Sequence, residues 1–404
     1  MAVRGVNRTQ VIFGATGALV LVGALVFRPS ARADAPRVPT DDAEVLEHLP
    51  SSRDPAERQR IELRRTLAAR PDDLRTALGL ARLDIETSRK RADPRYLGQA
   101  QAALAPWWDR PSPPAQVLVL RATIRQSLHD FDGALADLDR VVSQAPDDPQ
   151  AWLTRSVILS VQGRYAEAKA SCQPLRALVP AVVFTLCDAS IDALTGGAAG
   201  AYDRIEQSLA TSTGASADVR EWALSNLAEI AARLGRDDDA AHLFQQALAL
   251  DGDDAYALAA YVDLLLDEGH DDQAARLVAD RTDNDNLLLR LVLAENATGA
   301  RGASAHVDLL AARYDASRLR GDTVHRREEA RFVLGVKRDA RRALELARGN
   351  WAVQREPWDL RVFLAAALAA KDPTAAAPGL AFLDESHLED VRIRAIAQSL
   401  RALR

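Results

Sequence analysis

Residues that ordinarily carry chemistry are present in this sequence but stand far apart. The seven histidines are His48, His129, His242, His270, His306, His325 and His387. They show no His-x-x-x-His or Glu-x-x-His spacing that would set two metal ligands on one helical face. His325 with Glu328 and Glu329 comes nearest to a cluster. It reads as acid–base chemistry in one view and as a solvated helix face with i, i+3 and i+4 pairing in the other. No Gly-x-Ser-x-Gly elbow, phosphate-binding Walker loop or dinucleotide glycine fingerprint occurs. Cys172 and Cys187 are the only thiols and have no histidine beside them to complete a metal site. The expectation is a protein with no catalytic residue, no metal and no cofactor.

The elements that would position these residues are those of a helical protein. Of the 404 residues, 48% are hydrophobic and only 5% aromatic, an Ala- and Leu-rich balance that suits packed helices and can fill a core. The formal charge is −6, with arginines spread along the chain, so no basic patch invites a phosphate backbone and nucleic acid is not an expected partner. Lysine occurs only at 90, 169, 337 and 371 against many arginines, a bias that points to a GC-rich bacterial genome.

The first 33 residues have the layout of a signal peptide. Arg4 and Arg8 precede an uncharged, mostly apolar run over 11–27, and Pro29, Ala31 and Ala33 then supply the helix break and small residues of a cleavage site before Asp34. The competing reading is an uncleaved anchor, because this run is at the lower limit of what spans a bilayer. Either way the bulk of the chain is expected outside the cytoplasm: in the periplasm if cleaved, or facing it from the inner membrane if residues 11–27 remain as a tether. Residues 34–55, rich in Pro, Asp and Ser, read as a flexible linker.

Beyond the linker the sequence repeats itself. Leu118, Ala122, Phe131, Ala134 and Pro146 are each followed 34 residues later by Trp152, Ser156, Tyr165, Ala168 and Pro180. Gly235 and Ala240 recur in the same way as Gly269 and Ala274. Small residues at these places let two helices approach closely, and the glycines suit the left-handed break between them. The pattern resembles the tetratricopeptide (TPR) repeat family, whose unit is a pair of antiparallel helices. The resemblance implies an all-α, right-handed superhelical solenoid over 56–404.

Weaker units are expected around Leu78–Leu83 with Gln99–Leu104, and around Phe184–Leu194 with Tyr202–Leu209. Others are expected at Glu328–Val336 with Ala340–Trp351, and at Trp358–Ala370 with Ala375–Leu383. The basic stretch Ser88–Pro94 reads as a connection, and Val391 to Leu403 as a terminal capping helix. Trp107 and Trp108 are read as packing residues.

In the repeat frame, Cys172 and Cys187 flank Pro180 on successive antiparallel helices. In an oxidising compartment they are expected to form a disulfide, with two buried free thiols as the alternative. The resemblance also implies a concave groove formed by the first helices of the units, in which members of the family hold peptides or partner domains. Carried over in frame, its residues are Gln116, Val119, Thr123, Gln126, Gln150, Leu153, Val157, Ser225, Asn226, Glu229, Arg233, Tyr256 and Asp263. The Lys/Asn pattern of the carboxylate-clamping subgroup is absent from them. The expected function is a non-catalytic protein–protein interaction scaffold of the periplasm or cell envelope. Competing readings are a membrane-anchored assembly factor and, from Glu328 and Glu329, an accessory subunit or hydrolase of envelope polymers. The last of these requires a deep acidic pocket with raised carboxylate pKa values.

Overall fold

The computed structural model describes residues 54–91 and 93–403. The signal segment or anchor expected over 1–33, and the linker over 34–55 apart from its last two residues, lie outside them. The described residues are helices and turns, without a strand. Helix α1 (Pro55–Ala69) leads into successive hairpins: α2 (Leu74–Arg91) with α3 (Arg95–Trp108), α4 (Ala115–Ser127) with α5 (Phe131–Gln144), and α6 (Pro149–Val161) with α7 (Tyr165–Cys172). A short α8 (Leu175–Leu178) precedes α9 (Ala181–Asp192) with α10 (Ala198–Thr211), α11 (Ala217–Arg233) with α12 (Asp237–Leu250), and α13 (Ala255–Asp267) with α14 (Asp271–Val278). There follow α15 (Asp285–Thr298) with α16 (Ala303–Leu319) and α17 (Arg326–Phe332), extended by a π turn over Val333–Lys337, with α18 (Ala340–Trp351). The chain ends in α19 (Pro357–Ala369) with α20 (Ala377–Ser386), and then α21 (Val391–Ala402).

Local chemistry starts and stops these helices where the repeat frame requires. Asp130, Asp148, Ser216, Asp254 and Asn284 each accept a backbone N–H of the first turn, and Pro149 and Pro357 occupy first helical positions. Gly163, Gly235 and Gly269 turn between paired helices at φ near +75°. In the preceding unit His129 holds the same place at φ 59°. The small residues Ala122, Ala134, Ala168, Ala228, Ala240 and Ala274 are fully buried, and Ser156 nearly so, where helices cross. The molecule is an all-α solenoid of TPR-like hairpins.

One expectation is corrected, and one hairpin was not anticipated. Residues 88–91 are helical, because α2 runs to Arg91, with Arg89, Lys90 and Arg91 at the negative end of its dipole. The α15–α16 hairpin carries no repeat signal: α16 buries Leu310 and Tyr314 in place of alanines, and its turn is built on Gly299 and Gly302. Trp107 is buried in the core of the first hairpins, and Trp108 packs under the Arg121 guanidinium.

The disulfide is present. Cys172, at the end of α7, and Cys187, on α9, are bonded with Cα atoms 5.8 Å apart, inside the range the bond requires. Both are buried.

The C-terminal helices do not simply cap the last hairpin; they fold back across the turns of earlier ones. The Arg355 N–H donates to the Val161 carbonyl at the end of α6 (2.7 Å). The Glu389 carboxylate accepts from the Ala198 N–H at the start of α10 (2.7 Å). Arg392 donates to the Ala232 carbonyl at the end of α11 and pairs with Asp237 at the start of α12. Segment 382–392 therefore lies over the turn glycines 163, 196 and 235. A Cβ added to Gly163 would meet Phe382 at 2.9 Å, and one on Gly196 would meet His387 at 3.1 Å.

Candidate partner-binding surface

The inner wall of the solenoid is built from the first helices of the hairpins, and the chain fills much of it. Asp263 on α13 is 3% exposed and is held by Arg290 on α15 (2.6 Å) and Arg331 on α17 (2.8 Å). Asp267, one turn further along α13, pairs with Arg361 on α19 (2.5 Å) and Arg392 on α21 (3.0 Å). Burial alone would raise the Asp263 pKa, but the two guanidinium groups outweigh it and hold it below the usual carboxylate range. Ion pairs between inner helices thus take up two carboxylates of α13.

The thirteen groove residues separate accordingly. Val119, Ser225 and Asp263 are corrected to interior positions. Val119 belongs to the core around α4 and α6, Ser225 donates its hydroxyl to Glu221 (2.8 Å), and Asp263 is consumed by its arginines. Thr123 is half-buried, donating its hydroxyl to the Val119 carbonyl, and Gln126 is also half-buried. Leu153 is half-buried against the core. Asn226 accepts from Ser190 of α9 (2.7 Å), tying two inner helices together. Gln116 and Gln150 are exposed, and Gln150 donates to Thr154. Val157 is 40% exposed. Glu229, Arg233 and Tyr256 share one wall. The Tyr256 ring, 64% exposed, sends its hydroxyl across to the Glu229 carboxylate at 2.5 Å.

That wall faces residues from the distant end of the chain. Glu356, just before α19, is bonded to Arg327 on α17 (3.1 Å), which also pairs with Glu328 (2.9 Å) and Asp359 (3.3 Å). Enclosure by protein, the Asp359 charge and the Glu229 charge together push Glu356 up to about 7, against the opposing pull of Arg327. The Glu356 side chain is still 40% exposed, so it is in contact with solvent and not in a dry core. Burial likewise raises Glu229, and the Glu229 charge raises the Tyr256 hydroxyl well above its ordinary value. His129, at the end of α4, is lowered by burial and feels Glu328 and Arg327. The contribution of α17 and α19 was missed in the sequence. The one signal there, Glu356-Pro357 followed by Asp359, marks a helix start, and the structure forms the corresponding capping box.

Glu328 and Glu329 do not form the acidic pocket that a hydrolase reading requires. Burial opposes ionisation of Glu328, but Arg327 and His325 bring it down to about 2, and Glu329 is paired with Arg318 (2.5 Å). Among the described residues no group of three or more His, Cys, Asp or Glu side chains is placed to hold a metal ion. No described helix is long and apolar enough to cross a membrane.

The geometry defines an all-α repeat solenoid with a partly filled inner wall. Residues 222–254, which span most of α11 and all of α12, match the tetratricopeptide repeat family. The match covers this one hairpin; the other hairpins share its helix–turn–helix form, with first helices of those from α4 onward starting 30 to 41 residues apart. Solved structures similar to it include a tetratricopeptide repeat protein from Parabacteroides merdae, at 13% identity over 71% of this chain and 98% of that one, with a TM-score of 0.37. Yeast Tom70 is similar at 12% identity over 86% of this chain and 84% of its own (TM-score 0.39). A human IFIT1 dimer with PPP-AAAA is similar at 12% over 87% and 95% (TM-score 0.44). A comparison with curated proteins finds no significant match.

Proposed function

We propose that this chain is a non-catalytic interaction scaffold of the periplasm or cell envelope, and that it binds a protein or peptide partner on the wall formed by α6, α11 and α13. The observation that carries the reading is Tyr256. A large aromatic residue left 64% exposed, with its hydroxyl anchored to Glu229, has the character of an interface anchor. Val157 adds exposed apolar surface on α6, which is separated from α11 by α9. Location rests on the sequence of residues 1–33, and the disulfide is in keeping with an oxidising compartment.

Quantitative comparison of the proteins that co-purify with the wild-type chain and with Tyr256→Ala tests the binding surface. A partner depleted by the substitution, at unchanged abundance of the chain, is the expected result; identical profiles would contradict it. The intact mass of the exported product tests location. A chain beginning at Asp34 is the periplasmic form, and an uncut N-terminus is the tethered assembly factor.

A further inference from the structure

The contact between α2 and α13 joins parts of the solenoid that the order of its hairpins holds apart. Four hairpins lie between these two inner helices, yet α2 meets α13 directly. Among the described residues no apolar core spans this meeting. The apolar residues of α2 pack with those of α3 and α4, and those of α13 belong to a second core that runs from α9 to α21. What faces across the junction is charge. Arg89, Lys90 and Arg91 end α2, and the acidic turn carrying Asp251, Asp253 and Asp254 leads into α13. Lys90 reaches Asp251 at 3.8 Å, with 44% and 37% of the two side chains exposed, and also pairs with Glu86 (3.3 Å). Arg91 is taken by Asp54 (3.1 Å) and Asp253 by Arg281 (3.0 Å), while Asp254 caps α13. Burial raises the Glu221 carboxyl on α11, the Ser225 hydroxyl lowers it, and the charges of Asp254, Asp251 and Arg89 all act on it, which places Arg89 among these carboxylates.

We infer that the first hairpin is a charge-held gate on the solenoid: the basic end of α2 closes against the acidic turn before α13, and the two part when their charges are screened. Exposed ion pairs hold weakly and weaken further with salt, whereas a shared apolar core would hold the two ends regardless of it. Parting them breaks up neither core, so the hairpins on both sides stay folded while the junction opens. Both helices belong to the inner wall, and the gate therefore sets how widely that wall stands open to a partner. The inference stands on the junction itself and does not require Tyr256 to be the anchor.

The test is the distance between nitroxide spin labels on Gln101→Cys in α3 and Gln246→Cys in α12, both exposed positions, measured by pulsed electron spin resonance on the full disulfide-bonded chain. The native cysteines are tied up in their bridge, so only the two introduced thiols react. At low salt a single short distance is expected. In about 1 M salt, where screening acts beyond about 3 Å, a longer distance should grow in, its population rising about 2- to 10-fold, the range of one or two exposed ion pairs. Asp251→Lys should show the long distance already at low salt, and adding Lys90→Asp to it should restore the short one. A distance that changes neither with salt nor in Asp251→Lys would overturn the inference, because packing and not charge then holds α2 to α13. A double swap that stays open would overturn it as well. So would a salt response that persists undiminished in Arg89→Gln/Lys90→Gln, since the salt would then be acting elsewhere in the solenoid.

Discussion

Asp263 shows how a residue that reads as solvated can be a structural centre. On α13 it falls at an inner-face position, but Arg290 and Arg331 close over it. Removing one member of a buried ion pair strands the others. Asp263→Ala is therefore expected to lose about 3–5 kcal/mol of stability, measured by urea unfolding. The two perturbed glutamates give opposite pH signatures. Glu328 is depressed to about 2, so its contribution is full above its ordinary value of 4.5 and fades as pH falls from there toward 2. Glu356 is raised to about 7, so its contribution is full below 4.5 and is lost as pH rises through 7. Glu356→Gln is accordingly expected to flatten the decline in melting temperature between pH 4.5 and 8, and an unchanged slope would show that Glu356 titrates normally.

Among the elements, the hairpin turns were the most legible in the sequence. Steric demands fix them locally: alanine where helices cross, and glycine where the chain turns left-handed. Gly163 and Gly269 occupy equivalent turns at φ 74°, but only Gly163 lies beneath Phe382. Gly269→Ala should cost about 1 kcal/mol for its backbone alone. Gly163→Ala should cost roughly 2 kcal/mol or more, because the new methyl also displaces an aromatic ring; thermal unfolding of the pair measures the difference. The α15–α16 hairpin escaped notice because Leu310 and Tyr314 solve its packing without the small-residue signature. The bridge between Cys172 and Cys187 was legible as a possibility, and the meeting of α7 with α9 decides it. Replacing either cysteine by serine is expected to cost about 3 kcal/mol for a loop of this length, seen as a lowered unfolding midpoint under non-reducing conditions.

Across the described molecule, closure by α19, α20 and α21 was not legible. The Glu389–Ala198 bond joins residues 191 apart, and nothing periodic in the sequence announces such a contact. Closure also brings side chains from the end of the chain onto the inner helices. Arg361 of α19 and Arg392 of α21 take up Asp267, while Arg290 and Arg331 take up Asp263, and Tyr256 stays exposed. Arg392 holds this closure through three neighbours at once: the Ala232 carbonyl, Asp237 and Asp267. Arg392→Ala is expected to speed amide hydrogen exchange at the starts of α10 and α12, where α21 and the segment before it cover the turns, with little change in α2 and α3.

The central claim is that the wall around Tyr256 meets the partner, and site-specific photo-crosslinking in the cells that make this protein tests it most directly. A photoreactive residue at position 256 is expected to yield a discrete crosslinked species that the same residue at exposed Asp238, on the outer helix α12, does not. The same crosslinks from both positions, or crosslinks from Asp238 alone, would contradict the claim.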